Sequence, residues 1–259
     1  MVTNMKLILT SIKIQIKKIR AYPNEAKMLF FYALFNVYSI LFFWSMIFLV
    51  TGENIKDRNL IYLLVMMGTL SLGIGEIFFG LRDFEYMVQD GSLDKYLYRP
   101  RNILMMILME KVPFTNMVQQ IIIGGFGIHY IITRFDIDVQ TVNVFKSMGL
   151  LIFGNIYYHL IYGMITMLSI WIEKISTLRD LIFNFSIAKN YPLKIFPKTL
   201  QNLLTYIVPI ALTTYYPTVV LMGGRVKEFK YIIISFFFLC FLFIKVYRNC
   251  IKKYSSNGG

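Results

Sequence analysis

The chain has 259 residues, of which 57% are hydrophobic and 16% charged, where soluble domains carry roughly 45–50% and 25%. That balance excludes a water-soluble globule, and an aromatic share of 17% with a mean hydropathy of +0.59 excludes disorder. The net charge of +13 points to a membrane surface rather than to nucleic acid, because the basic residues lie mostly outside the apolar runs.

In chain order, Met5 to Arg20 places Ile8, Ile12, Ile16 and Ile19 on one helical stripe beside Lys13, Lys17 and Arg20. This predicts an interfacial helix within a cytoplasmic segment 1–27. The alternation from Ile12 to Lys17 also fits a strand, but a lone strand at the headgroups leaves its edges unpaired. Met28 to Val50 then runs without a charge, long enough as a helix to cross a hydrocarbon core of ~30 Å. Leu60 to Gly80 is the second expected span, interrupted only by Glu76. Val112 to Thr133 and Ser147 to Ile172 form a second uncharged pair, and Tyr231 to Tyr247 is the last span.

Lys6, Lys13, Lys17, Lys18, Arg20 and Lys27 precede the first span, and Arg248, Lys252 and Lys253 follow the last. Both termini, including the tail 249–259, are therefore expected in the cytoplasm, which requires an even number of spans. The segment 81–111, with Arg82, Lys95, Arg99, Arg101 and Lys111, is expected on the same side, and the short Asp136–Asp138 connection outside. Between Glu173 and Lys230 two readings stand. Thr199 to Gly224 is long enough to cross, but Pro209 and Pro217 each remove a backbone donor and suit a re-entrant pair of short helices better. In that case the fifth span is roughly 175–196, despite Arg179, Asp180 and Lys189, and Lys189, Lys194 and Lys198 fall near or beyond the outer headgroups. Basic-residue bias favours the plain span; either choice gives six spans across 28–248.

No nucleotide-binding G-x-x-x-x-G-K-[ST] loop, G-x-S-x-G or H-E-x-x-H occurs, so no catalytic residue is expected and any energy source is external. Cys240 and Cys250 make neither a disulfide framework nor a metal set. His129 and His159 sit alone in apolar runs and read as packing residues. Glu76 differs: an ionisable group in a lipid-length run faces protein or a water-filled path, or snorkels to the headgroups. Gly73, Gly75, Gly80, Gly124, Gly125 and Gly127 allow close helix approach. The segment 81–98 interleaves Arg82, Asp83, Glu85, Asp90, Asp94 and Lys95 with apolar residues, among them Leu93 and Leu97 as possible anchors for a partner. On composition alone a solvated loop fits it as well.

The run Gly91-Ser92-Leu93-Asp94-Lys95-Tyr96-Leu97-Tyr98-Arg99-Pro100 resembles the inner-loop signature of bacterial ABC transporter permeases of the type-2, six-helix, exporter-like class. Ile170-Trp171, the stretch Tyr191-Pro192-Leu193-Lys194-Ile195-Phe196-Pro197, Val208-Pro209, Tyr216-Pro217 and Gly223 resemble the same family in the same order. The resemblance implies an all-α membrane protein with an N-terminal interfacial helix, six transmembrane helices and a re-entrant hairpin (199–224, with Pro209, Tyr216 and Pro217) before the last span. It implies ATPase coupling through Asp83, Glu85, Asp90, Gly91, Leu93, Asp94, Leu97, Arg99 and Pro100. It also implies two copies of a cytoplasmic ABC ATPase holding ATP and Mg, no cofactor on this chain, a second or related permease copy, and lipid around the bundle. The charged fifth span departs from the family pattern. A secondary transporter or channel using Glu76 is the alternative function, and a non-transporting membrane anchor is a third.

Overall fold

The computed structural model is all-helical, with no strand among the described residues. It describes every residue except Met1, 53–54, Arg101, 173–174, 227–228 and 256–259, and no side chains at 2–9, 11, 18, 55 and 56. The expectations on Lys6, Ile8, Lys18, Arg101, Glu173 and the last four residues of the tail lie outside what is described.

Helix α1 (Val2–Ala21) shows that the N-terminal isoleucine pattern forms a helix, not a strand. Helix α2 (Pro23–Thr51) begins on a proline whose missing N–H would be unpaired in any first turn. It is 29 residues long and ends at Gly52, where φ of 64° lets the backbone N–H reach the Phe48 carbonyl at 3.1 Å. Helix α3 (Ile55–Gly75) runs back, tightens through a 3₁₀ turn at Glu76–Phe78, and continues as α4 (Phe79–Arg82) and α5 (Phe84–Gln89). The helical run thus goes past Gly80, where charge alone ends the span. Short helices α6 (Asp94–Leu97) and α7 (Ile103–Glu110) lead to α8 (Phe114–Arg134) and α9 (Thr141–Met167). Then come α10 (Ser176–Phe185), 3₁₀ turns at Ser186–Asn190 and Leu193–Ile195, α11 (Lys198–Asn202), and a π-helical turn at Leu203–Ile207. Helices α12 (Ile210–Thr213), α13 (Tyr215–Leu221) and α14 (Phe229–Lys253) complete the chain.

Four stretches are long and apolar enough to cross a membrane: Pro23–Thr51, Asp57–Gln89, Thr141–Ile170 and Phe229–Lys253. Helix α8, with 21 residues, has the length but carries Asn116, Gln119 and Gln120 in its first turns. The stretch 175–196 is not one long helix. Its regular part, α10, has ten residues and rises only about 15 Å before the chain tightens into 3₁₀ turns.

Helix α3 is the centre of the bundle: Leu63, Leu64, Val65 and Met67 are buried on successive faces, the pattern of a helix covered all round. Helix α8 lies along it. A Cβ on Gly124 would stand 2.5 Å from the Leu70 nitrogen, so only glycine permits this approach. Helix α9 covers another side of α3 and carries α12, α13 and α14. Helices α2 and α14 are peripheral, with Phe35, Tyr38 and Phe42 on one and Phe237, Phe238 and Phe241 on the other exposed. Aromatic faces of this extent would be an aggregation surface in water, and in a bilayer they meet lipid.

The bundle has two distinct ends. At one, which we call the loop end, Leu81, Phe84, Leu93 and Tyr96 share an apolar cluster with Met167 of α9 and Phe243 and Cys250 of α14. At the far end, Asp138, Gln140, Asn143 and Lys146 stand opposite Gly223, Gly224 and Arg225 around a cleft of about 910 Å³.

Candidate functional site

The segment 81–111 folds into a compact cap on the loop end. Asp90 accepts the Ser92 backbone N–H at 2.9 Å on Oδ1, a local turn that holds its carboxyl below the usual carboxylate range. Gly91 follows at φ of 73°, a left-handed conformation that a side chain would strain. The reversal lets the Leu93 N–H donate to the Met87 carbonyl at 3.1 Å and drops Leu93 and Tyr96 fully into the apolar cluster. Leu93 therefore anchors the segment to its own bundle and is not presented to a partner. Asn102 caps α7 by accepting the Met105 N–H at 3.1 Å.

Ion pairs stitch the cap together. Lys111 meets Asp83 at 2.6 Å, Lys95 meets Glu110 at 2.7 Å, and Arg99 reaches Glu110 at 3.6 Å. The Glu110 contact holds the Lys95 ammonium above its ordinary pKa against partial burial. Glu85 is buried, accepting from Arg179 of α10 at 2.9 Å and from Gln89 at 3.3 Å, so it too faces inward. The Arg179 guanidinium also lies over the Tyr86 ring, 5.0 Å from its centroid. Asp94 and Leu97 are half-buried. Tyr254 of the C-terminal tail packs against the cap, and burial together with the Asp94 carboxylate pushes its phenol up to about 12. Among the residues the cap leaves exposed are Tyr86, Asp90, Tyr98, Arg99 and Pro100, with Tyr98 at 83%.

Glu76 stands at the 3₁₀ turn of the α3–α4 run and pairs with Arg82. Beside this pair a cavity of about 50 Å³ lies between α3, α9, α10 and α12, lined among others by Ser71, Arg82, Asn155, His159, Lys189 and Thr213. Asn155 bridges α9 to Ser71 of α3, and the His159 ring nitrogen Nδ1 bonds the Asn155 carbonyl one turn back at 2.8 Å. His159 also stacks on Phe78, which agrees with a packing role, while His129 is exposed.

In 199–224 the chain divides at Val208–Pro209. Pro217 sits within the first turn of α13, where its missing N–H interrupts no helical bond. The Ser147 hydroxyl donates to the Pro217 carbonyl at 2.8 Å, and the Tyr157 hydroxyl reaches the Tyr206 carbonyl at 3.2 Å. Tyr216 is half-buried against Tyr215. Gly154 of α9 has no room for a Cβ beside the Leu212 carbonyl. The irregular backbone from Val208 to Tyr215 is thus enclosed by protein, the condition on which such backbone is tolerated at membrane depth.

A bundle of apolar helices sheathed in exposed aromatics and capped by a charged segment defines an integral membrane protein. Residues 34–258 match the model of the ABC-2 family transporter proteins. The chain belongs to that family and is a membrane permease of an ABC transporter, a class that works with an ABC ATPase and is not itself an enzyme. No curated protein matches the sequence.

Arg179 and Lys189, which read from sequence only as blemishes in a span, are placed at the cap and at the cavity. The usable signal was their cost: a charge in an apolar stretch needs a partner, and few carboxylates are on offer.

Proposed function

We propose that the chain is the membrane subunit of an ATP-driven exporter, energised by a separate ATPase that seats on the cap 81–111. The observation that carries this reading is that the cap is one packed body with the ends of α9 and α14 through Met167, Phe243 and Cys250. Its exposed face, meanwhile, keeps Tyr86, Asp90, Tyr98, Arg99 and Pro100 free of intramolecular burial. A push on that face is delivered to two long helices at once. Aromatic and arginine side chains on an exposed face are the types that dominate binding hot spots.

The loop end faces the cytoplasm in this reading, consistent with the basic residues gathered there. The six-span count treats α8 as the third span and the α10 region as a short fifth, with 199–224 entering and leaving from the outer side. Two permease copies enclose the path, and two ATPase copies hold ATP and Mg. Co-expression with the cognate ATPase and affinity purification test the docking face. Tyr98→Ala with Arg99→Glu should reduce ATPase recovery about tenfold or more while membrane insertion stays intact. Recovery equal to wild type would remove the cap as the seat.

A further inference from the structure

The cavity beside Glu76 holds more positive charge than its own carboxylate offsets. Arg82 and Lys189 both line it. Glu76 is committed to Arg82, and it is the carboxylate whose field also reaches Lys189. Among the described residues no side chain forms a hydrogen bond to the Lys189 ammonium. The Arg82 Nε is buried without an acceptor. With both cations protonated, one positive charge remains unmatched at membrane depth, where an unpaired charge is costly. The Ser71 and Thr213 hydroxyls on the same walls are already bonded, to the Asn155 amide and the Ile210 carbonyl, which leaves the two cations as the groups that would meet a ligand.

Size and access narrow the occupant. A volume of about 50 Å³ holds about three to five water-sized spheres at about 10–15 Å³ each, enough for a carboxylate or the oxygens of a phosphate and too little for an organic cargo. Leu72 and Phe183 line the same cavity and are exposed on the bundle surface at 39% and 55%. The cavity wall between α3 and α10 is therefore itself partly bundle surface. An acidic headgroup can enter there while an attached chain stays outside.

We propose that this cavity binds a single oxyanion, a carboxylate or phosphate group, by Lys189 and the free Arg82 donor, with Glu76 as its internal competitor. The source is either a free anion or the acidic head of an amphiphile. The site stands independently of where the ATPase docks, and its test needs no ATPase.

The full chain, purified in a neutral maltoside detergent, is titrated at constant ionic strength with inorganic phosphate and, separately, with dodecyl phosphate. Dodecanol serves as the uncharged control. Binding is read from the rise in thermal midpoint, followed in a Cys240→Ser background by a thiol-reactive dye that reports exposure of the buried Cys250. A saturable rise with either phosphate, absent with dodecanol, is expected. A response to inorganic phosphate identifies a free anion; a response confined to dodecyl phosphate identifies an amphiphile's headgroup. Lys189→Gln should weaken the affinity about tenfold or more, and Glu76→Gln, which removes the competitor, should strengthen it. A purely structural Lys189 would lower the starting midpoint and leave the phosphate response intact, which would overturn the proposal. So would no saturable response in wild type, or an unchanged or weaker response in Glu76→Gln, the variant that decides the matter if Lys189→Gln does not fold.

Discussion

The Glu85–Arg179 pair is the contact most exposed to a quantitative test. Glu85 retains 1% of its side-chain accessibility and Arg179 13%, at 2.9 Å. Arg179→Met keeps most of the side-chain length and removes the charge, leaving Glu85 buried with only the Gln89 amide at 3.3 Å. Removing one partner of a buried pair costs about 3–5 kcal/mol, because the other charge stays desolvated. The opposite change, Glu85→Gln, is milder, since Arg179 keeps the exposed Asp180 carboxylate at 3.0 Å; about 1–2 kcal/mol is expected, the scale of a lost charged hydrogen bond. For a chain of this size 1 kcal/mol moves a thermal midpoint by about 2–4 °C, so Arg179→Met should fall by about 10 °C and Glu85→Gln by about a third of that. The double variant carries neither buried charge and should recover most of the loss, giving a favourable coupling energy. Thermal unfolding of detergent-purified protein with Cys240 replaced by Ser, read by labelling of Cys250, supplies all four corners of the cycle. Equal midpoints for wild type and Arg179→Met, or a double variant as unstable as Arg179→Met, would refute the inward assignment of Glu85.

Gly124→Ala should destabilise the α3–α8 contact by about 1–3 kcal/mol through overpacking, whereas Gly125→Ala, with nothing within 4 Å of the added carbon, should match wild type in the same melt. With Cys240 and Cys250 replaced, a cysteine at exposed position Lys194 should label from outside intact cells with an impermeant thiol reagent; protection until the membrane is opened would reject a re-entrant 199–224. Cross-linking in membranes should trap a pair of permease chains, and transport by a single copy in nanodiscs would remove the two-copy path.

The long apolar runs were legible because a 20-residue uncharged stretch has few alternatives in any solvent. Helix α1 was legible from its isoleucine stripe. The region 175–224 was not, because its backbone is held by contacts far away in sequence: Tyr157 on Tyr206, Ser147 on Pro217, Leu212 over Gly154. Hydropathy scores a segment against lipid and cannot register a wall of protein. At the cap, the sequence alone does not show which side chains face inward. The Asp90–Gly91 turn sends Leu93 inward, and Arg179, distant in sequence, claims Glu85. Tyr98 carries no periodic signal, being an isolated tyrosine in a charged loop.

The distribution of burial bears on how such a cap can act. Helices α3 and α9 are packed around most of their surface, so their mutual shift would break many contacts at once. Helix α14 buries only Ile232, Phe243 and Cys250, and two of those three lie in the cap cluster. Its other residues are exposed or half-buried, so fewer packed contacts oppose its movement. A displacement of the cap therefore meets stiff resistance along α3 and much less along α14. The 3₁₀ turn at Glu76 stands where the stiff α3 becomes the cap, and tightened turns within a helix are common sites of bending. Movement driven at the cap is thus expected to hinge near Glu76 and to swing α14, with the cavity between α3 and α10 changing shape beside that hinge.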